Sequence, residues 1–310
     1  MKIFSLIIII MIGSYWALSQ SIPDSWLTYY EQSGFKKTPR YDETIQFCRR
    51  LEKASQWIKV ITFGKSPEGR DLILVVASND GIFDPKKAHK TGKAIVLVQN
   101  GIHAGEIDGK DACLMLLRDI AITKTKASLL DHAILLIIPI YNVDGHERFE
   151  PYNRINQNGP EEMGWRVTGQ NLNLNRDYMK ADAPETQAWL QMFNRWLPDM
   201  FLDAHVTDGA DYQHIVTVGI EKHQNISEPI RLWVLDKFVP MISSLKTNGI
   251  PVAPYISLRD NEDPLKGNQS GVAPPRLSTP YAALQNRPAL LIETHMMKDY
   301  KSRVEGTYQT

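Results

Sequence analysis

Cysteine is scarce: only Cys48 and Cys113 occur in 310 residues. That excludes a disulfide scaffold and a four-cysteine zinc module, and both residues read as buried free thiols. Charge of one sign is also missing. Lys and Arg number 35 against 35 Asp and Glu, so the formal net charge is zero. Nothing in the chain as a whole therefore attracts nucleic acid or anionic lipid. Internal repeats are absent, as is any linker that would divide domains. Beyond the first twenty residues no apolar run is long enough to cross a bilayer, so the mature chain is expected to have no membrane span. What is present is ordinary for a folded globular protein, with 43% hydrophobic and 23% charged residues. That balance excludes disorder or a collagen-like chain. The length suits one large α/β domain or two small ones.

The one long apolar run lies at the start. Met1-Lys2 precedes Ile3 to Ile12, and Ala17-Leu18-Ser19 follows. A basic start, a short hydrophobic stretch and a small-x-small site have the layout of a secretory signal. The run from Ile3 to Leu18 is shorter than the roughly 20 residues a spanning helix needs. Residues 1–19 are thus expected to be a signal peptide and residues 20–310 the mature chain, secreted or periplasmic.

The rest reads as one α/β unit. Asp42 to Ser55 has the apolar spacing of an amphipathic helix. Trp57–Phe63 and Asp71–Ala77 read as strands around the turn Gly64-Lys65-Ser66-Pro67-Glu68-Gly69-Arg70. Ala94–Gln99 and Ala133–Ile140 are continuous apolar runs of the kind found in buried strands. A helix is expected over Gly105–Ile122 and another from Pro184 to Trp196, with proline in its first turn. Tyr141 to Gly145 reads as a turn, and a long polar stretch then reaches Tyr178. Long loops inside ordered folds usually carry function. Met200–His205 and Ala289–Glu293 read as strands. Between them Ile226–Thr247 reads as a long helix, kinked or broken near Pro240.

Chemistry collects where strands end. His103-Ala104-Gly105-Glu106 follows the strand ending at Gln99, and a turn there brings His103 and Glu106 to one face. His205 closes the strand Met200–His205. Ligands outside the carboxyl ends of neighbouring strands converge in such sheets. Two His and one Glu leave a fourth zinc position open, as a catalytic site requires. Glu293 ends the apolar run Ala289–Ile292 and places a carboxylate at a strand tip. Zinc can bring the pKa of bound water from 15.7 to about 7, and a nearby carboxylate can then take the proton. Arg166 and Arg176, with Asn175, lie in the long loop and fit an anion pocket.

The ordered set His103-x-x-Glu106, Arg166, Asn175-Arg176, His205, Glu293 resembles the zinc metallocarboxypeptidases related to carboxypeptidase A, in a bacterial-type exported form. The stretches Gly64–Arg70 and Ile138–Gly145 are similar to the same family, and the likeness runs from about Tyr41 to Glu293. It implies a mixed-sheet α/β/α sandwich and one zinc ion held by His103, Glu106 and His205, with water as fourth ligand. It further implies Glu293 as the base toward that water, Arg166 as the oxyanion donor, and Asn175 and Arg176 as the grip on the free C-terminal carboxylate of a peptide.

Three departures accompany the likeness. Where the digestive enzymes carry an acid that supports a zinc histidine, this chain has Asn173, whose amide can still accept that hydrogen bond. Neither Tyr255 nor Tyr281 has the spacing of the tyrosine that closes over substrate. The segment between Arg176 and His205 is short. His214 reads as a strand or loop histidine, and His295, on the side of Glu293 by strand alternation, as a supporting one. Only 17 residues follow Glu293, where relatives continue into a packing helix, so the resemblance implies a domain cut short there. Two other readings stand beside the carboxypeptidase: a zinc amidase acting on cell-wall peptides or N-acyl amino acids, and a non-catalytic zinc-containing peptide-binding domain.

Overall fold

The computed structural model describes residues 22–310 except 208, 210, 256, 261 and 270. The signal-like residues 1–19 lie outside the described residues. Its centre is an eight-stranded mixed sheet. The strands, in chain order, are β1 Ile58–Lys65, β2 Asp71–Ala77, β3 Ala94–Asn100, β4 Ala133–Ile138, β5 Met200–Val206 and β6 Val216–Ile220, followed by β9 Ala253–Pro254 and β10 Ala289–Thr294. Two further strands, β7 Lys246–Thr247 and β8 Ile250–Pro251, pair as a separate hairpin. Across the sheet the order is β1-β2-β4-β3-β5-β10-β6-β9. Its middle, β4-β3-β5-β10, is parallel, and β1, β2 and β6 join antiparallel.

Continuous apolar sequence explains the middle. Ala133–Ile138 is AILLII, and every residue after Ala133 is buried. A strand covered on both faces has no need of alternation. The helices that cover it are α1 Tyr41–Ala54 and α2 Asp108–Ala121 on one face and α4 Pro184–Trp196 on the other. Cys48, Leu51, Cys113, Leu114 and Leu117 fill the first layer with residues of β1, β2 and β4. Trp189, Phe193 and Phe201 lie among the buried residues of the second, where Trp189 stacks on Phe193 at 4.6 Å. Cys48 and Cys113 are free and buried, as the sequence suggested. The α/β/α sandwich of the expected kind is therefore the observed fold.

Several elements depart from the sequence reading. Tyr141–Gly145 is not a plain turn: α3 Val143–Glu147 starts there, with Asn142 capping it by accepting the N–H of Gly145. The helix expected over Ile226–Thr247, with a kink or break near Pro240, is interrupted there as expected but is shorter: α5 Glu228–Trp233, a π-turn Val234–Phe238 and α6 Val239–Ser243. Pro240 has no N–H to donate, and the wider π-turn sits just before it. Strand β6 is absent from the sequence reading because VTVGI is short and interrupted by Gly219. Helices α7 Ser278–Leu284 and α8 Tyr300–Gln309 are also additional. Helix α8 packs on α2: Arg303 Nε donates to Asp108 Oδ2 at 2.8 Å, and Tyr300 donates its hydroxyl proton to Asp111. No helix of the described residues is long and apolar enough to cross a membrane.

Candidate active site

The strand register gathers the site. In the parallel pairing β10·β5, Glu293 lies opposite His205, and β10·β6 places Thr217 on its other side. β3 runs beside β5 and ends at Asn100, so the turn that follows delivers His103 and Glu106 to the same carboxyl edge. That turn is closed by the N–H of Glu106 donating to His103 O at 2.9 Å, and α2 begins only at Asp108. Gly105 is required there: a Cβ would stand 2.8 Å from both Arg154 Cδ and Gly164 O.

His103, Glu106 and His205 are all buried and their candidate ligand atoms lie within 4.8 Å of one another. His205 Nδ1 is 2.9 Å from Glu106 Oε2, and His103 Nδ1 is 3.1 Å from Glu106 Oε1. Neither ring nitrogen of His103 makes a hydrogen bond among the described residues. A buried imidazole without a hydrogen-bond partner, facing a carboxylate and a second imidazole, fits a zinc ion of the His2Glu kind. Burial works against ionisation at all three. Even so, His103 and Arg154 hold the Glu106 carboxyl well below its usual range. Burial would also suppress the charge on His205, but Asp203 and Glu106 raise its imidazole well above the ordinary value. His103 moves the other way, lowered chiefly by burial.

All seven residues singled out in the sequence line one cavity of about 540 Å³. Arg166 donates to Glu106 Oε1 at 3.2 Å, and its carbonyl accepts from Asn142 Nδ2 at 3.1 Å. Asn175 and Arg176 sit in a single 3₁₀ turn, Leu174–Arg176. The N–H of Ser278 donates to Asn175 Oδ1 at 2.9 Å, which leaves the amide NH2 of Asn175 as its free donor end. Arg176 is exposed, with Nη1 donating to Asn175 O at 2.6 Å. Tyr255 lines the same cavity, whereas Tyr281 packs against Trp189 and Tyr178 in the core.

Asn173 does not support a histidine. Its side chain accepts the N–H of Asn175 at 3.0 Å and shapes the 3₁₀ turn. The carboxylate on a candidate ligand comes from Asp203, whose Oδ2 is 2.9 Å from His205 Nε2. Sequence reasoning overlooked it although Asp-x-His on a strand places both side chains on one face. Arg154 was overlooked too. It donates to Glu106 Oε1 at 2.5 Å and to the carbonyls of Val206 and Thr207 at 3.0 and 2.8 Å. No local pattern marks one arginine in a long loop. His214 lies before β6 with Nδ1 2.8 Å from Pro251 O, and His295 Nε2 accepts the N–H of Tyr212 at 3.0 Å. Neither lines the cavity.

A mixed sheet with two histidines and a glutamate at its carboxyl edge, beside a strand-end carboxylate and two arginines, defines a site of the metal-hydrolase class. The zinc carboxypeptidase family profile matches residues 44–213, and the chain belongs to that family. It is similar to a probable carboxypeptidase 2 of Trichophyton verrucosum (strain HKI 0517), 29% identical over 238 residues, which cover 72% of this chain and 42% of the relative. The chain thus spans under half the length of that curated relative. In fold it resembles a putative carboxypeptidase A from Shewanella denitrificans OS-217, with a TM-score of 0.63 at 20% identity over 87% of this chain and 66% of that one. A metallo-carboxypeptidase from Burkholderia cenocepacia superposes with a TM-score of 0.61 at 17% identity, over 87% and 66% of the two chains.

Proposed function

We propose that the protein is an exported zinc metallocarboxypeptidase that removes C-terminal residues from peptides. The observation that carries the reading is the sharing of one cavity by the His103–Glu106–His205 cluster, Glu293, Arg166 and the Asn175–Arg176 pair. His103, Glu106 and His205 would hold the ion. Zinc, when bound, supplies Lewis acidity at the scissile carbonyl and acidifies water. Arg176 and the amide NH2 of Asn175 bind the terminal carboxylate, Arg176 by two parallel hydrogen bonds. Arg166 offers its guanidinium to the carbonyl oxygen as negative charge develops there. Glu293 takes a proton from the attacking water and returns it to the leaving amine, so the peptide C–N bond breaks with no net change in its own charge. Thr217 and His205 flank its strand position and fix where the carboxylate starts.

Removal of terminal residues from a peptide with a free carboxylate, set against the same peptide amidated at its C-terminus, tests the reading. The free peptide should be cleaved and the amide should not. Glu293→Gln should retain zinc and lose turnover by about 10²–10⁴-fold, the usual worth of a general base. Unchanged cleavage by that variant would refute the mechanism. Zinc bound without turnover of any peptide would favour a binding domain, and cleavage only of N-acyl amino acids the amidase. Export rests on the signal-like residues 1–19, and an intact Met1 on the native protein would overturn it.

A further inference from the structure

Asp203 makes more contacts than packing requires. It is fully buried in β5, two residues before His205, and its oxygens meet three different groups. Oδ2 is 2.9 Å from His205 Nε2 and also accepts the hydroxyl proton of Ser278. Oδ1 accepts from Gln99 Nε2 at 3.0 Å, and Gln99 lies opposite Asp203 in the β3·β5 register. A carboxylate held by donors from two further elements cannot rotate without breaking one of them. It therefore fixes the imidazole plane of His205 and reserves Nε2–H for itself, turning Nδ1 toward Glu106 and His103.

Ser278 extends this anchor to the other half of the cavity. Its hydroxyl reaches Asp203 while its backbone N–H donates to Asn175 Oδ1. A backbone N–H can only donate, so the amide of Asn175 is locked with its oxygen inward and its NH2 as the remaining donor end. Ser278 is the first residue of α7, so the start of one short helix touches both Asp203, the partner of the candidate ligand His205, and Asn175 itself. Asn173, whose side chain is spent on its own turn, contributes to neither.

We propose that Asp203 and Ser278 form one positioning unit that orients His205 toward the metal and Asn175 toward the substrate carboxylate. The Asn175 half rests on the carboxypeptidase reading above; the His205 half does not. In it Asp203 supplies, from the ligand strand itself and to the second histidine, the carboxylate support that position 173 lacks.

The two halves separate by substitution. Asp203→Asn keeps shape and loses the charge. Ser278→Ala removes the hydroxyl link alone. Ser278→Pro removes the hydroxyl and the N–H at a helix first position, after the extended Leu277, where proline is tolerated. Zinc affinity of the full chain is read by competition with a chromogenic chelator, alongside the melting temperature of the metal-free protein. Asp203→Asn should weaken zinc binding about 10- to 100-fold, as loss of a histidine's outer partner does, with the metal-free melting temperature kept within a few degrees. Ser278→Ala should weaken zinc binding by a smaller factor and leave KM for a free-carboxylate peptide unchanged. Ser278→Pro should add a rise in KM of about tenfold, the loss expected when a binding donor is no longer oriented. Zinc affinity of wild-type strength in both Asp203→Asn and Ser278→Ala overturns the metal half. Equal KM in the two Ser278 variants overturns the coupling to Asn175. If Asp203→Asn does not fold, Ser278→Ala carries the metal half. Absence of peptide turnover in every protein, wild type included, would sink the carboxypeptidase reading and leave the zinc measurements to judge Asp203.

Discussion

Asp111 offers a quantitative check on how helix α2, which follows the candidate ligand Glu106, is held. It is fully buried, takes the hydroxyl proton of Tyr300 from α8, and its other oxygen has no hydrogen bond among the described residues. Burial is the main cause that lifts its carboxyl from 3.8 to about 6, partly offset by the neighbouring Lys110. A carboxyl with a raised folded-state value binds its proton more tightly folded than unfolded. Its contribution to stability is therefore fully present below pH 3.8 and is lost as pH rises to about 6. At 1.36 kcal/mol per pH unit, the interval from 3.8 to about 6 corresponds to about 3 kcal/mol. Asp111→Asn keeps an acceptor for Tyr300 and abolishes the titration. Urea unfolding of both proteins from pH 4 to pH 7 measures the difference directly. The variant should gain on the parent by about 3 kcal/mol across that range. Burial pushes His146 down to about 3, so its imidazole stays neutral in the folded protein across this window; the proton that the unfolded chain takes up there is common to both proteins and cancels. Lys110, lowered by burial to about 8, titrates above it. Parallel stability curves would show that Asp111 is already satisfied as an ion, and the account of its burial would be wrong.

Other consequences are as direct. Arg166→Ala should cut kcat by about 10²–10³-fold with zinc still bound, since an oxyanion donor acts on the transition state; a change confined to KM would refute that role. Arg176→Met should raise KM for free-carboxylate peptides by about 10- to 100-fold, the worth of a charge-assisted hydrogen bond, which steady-state kinetics reads. Gly105→Ala should weaken zinc binding, because its Cβ would press on Arg154 Cδ and on Gly164 O. Chelator competition checks this, and wild-type affinity would mean that the turn yields without moving Glu106. Zinc at a hundred times its Kd should stabilise the protein by about 2.7 kcal/mol over the metal-free form, visible as a rise in Tm that His205→Ala abolishes.

What sequence determines and what tertiary structure decides divide along a physical line. Periodicity and short motifs act over a few residues, so the sequence by itself determined the amphipathic α1, the buried apolar β3 and β4, the proline-started α4, and the seven residues that share the cavity. Their ordered spacing sufficed because ligands at strand ends need only the right residue at the right edge. Contacts between distant segments leave no such local mark. The pairing of Glu293 with His205 depends on β10 lying beside β5, 88 positions along the chain. Asn173 matches the position of a supporting acid, yet its side chain is captured by the N–H of Asn175, and Asp203 does that work because Ser278 and Gln99 arrive from elsewhere. Arg154 reaches Glu106 across 48 residues of sequence. The strand β6 likewise depends on what packs against it, since a short VTVGI becomes a strand only when β10 offers it an open edge, whereas the break near Pro240 was legible from the proline itself. The candidate ligands could be read from sequence because chemistry dictates their identity. Their orientation could not, because it is set by hydrogen bonds that only the folded sheet brings together.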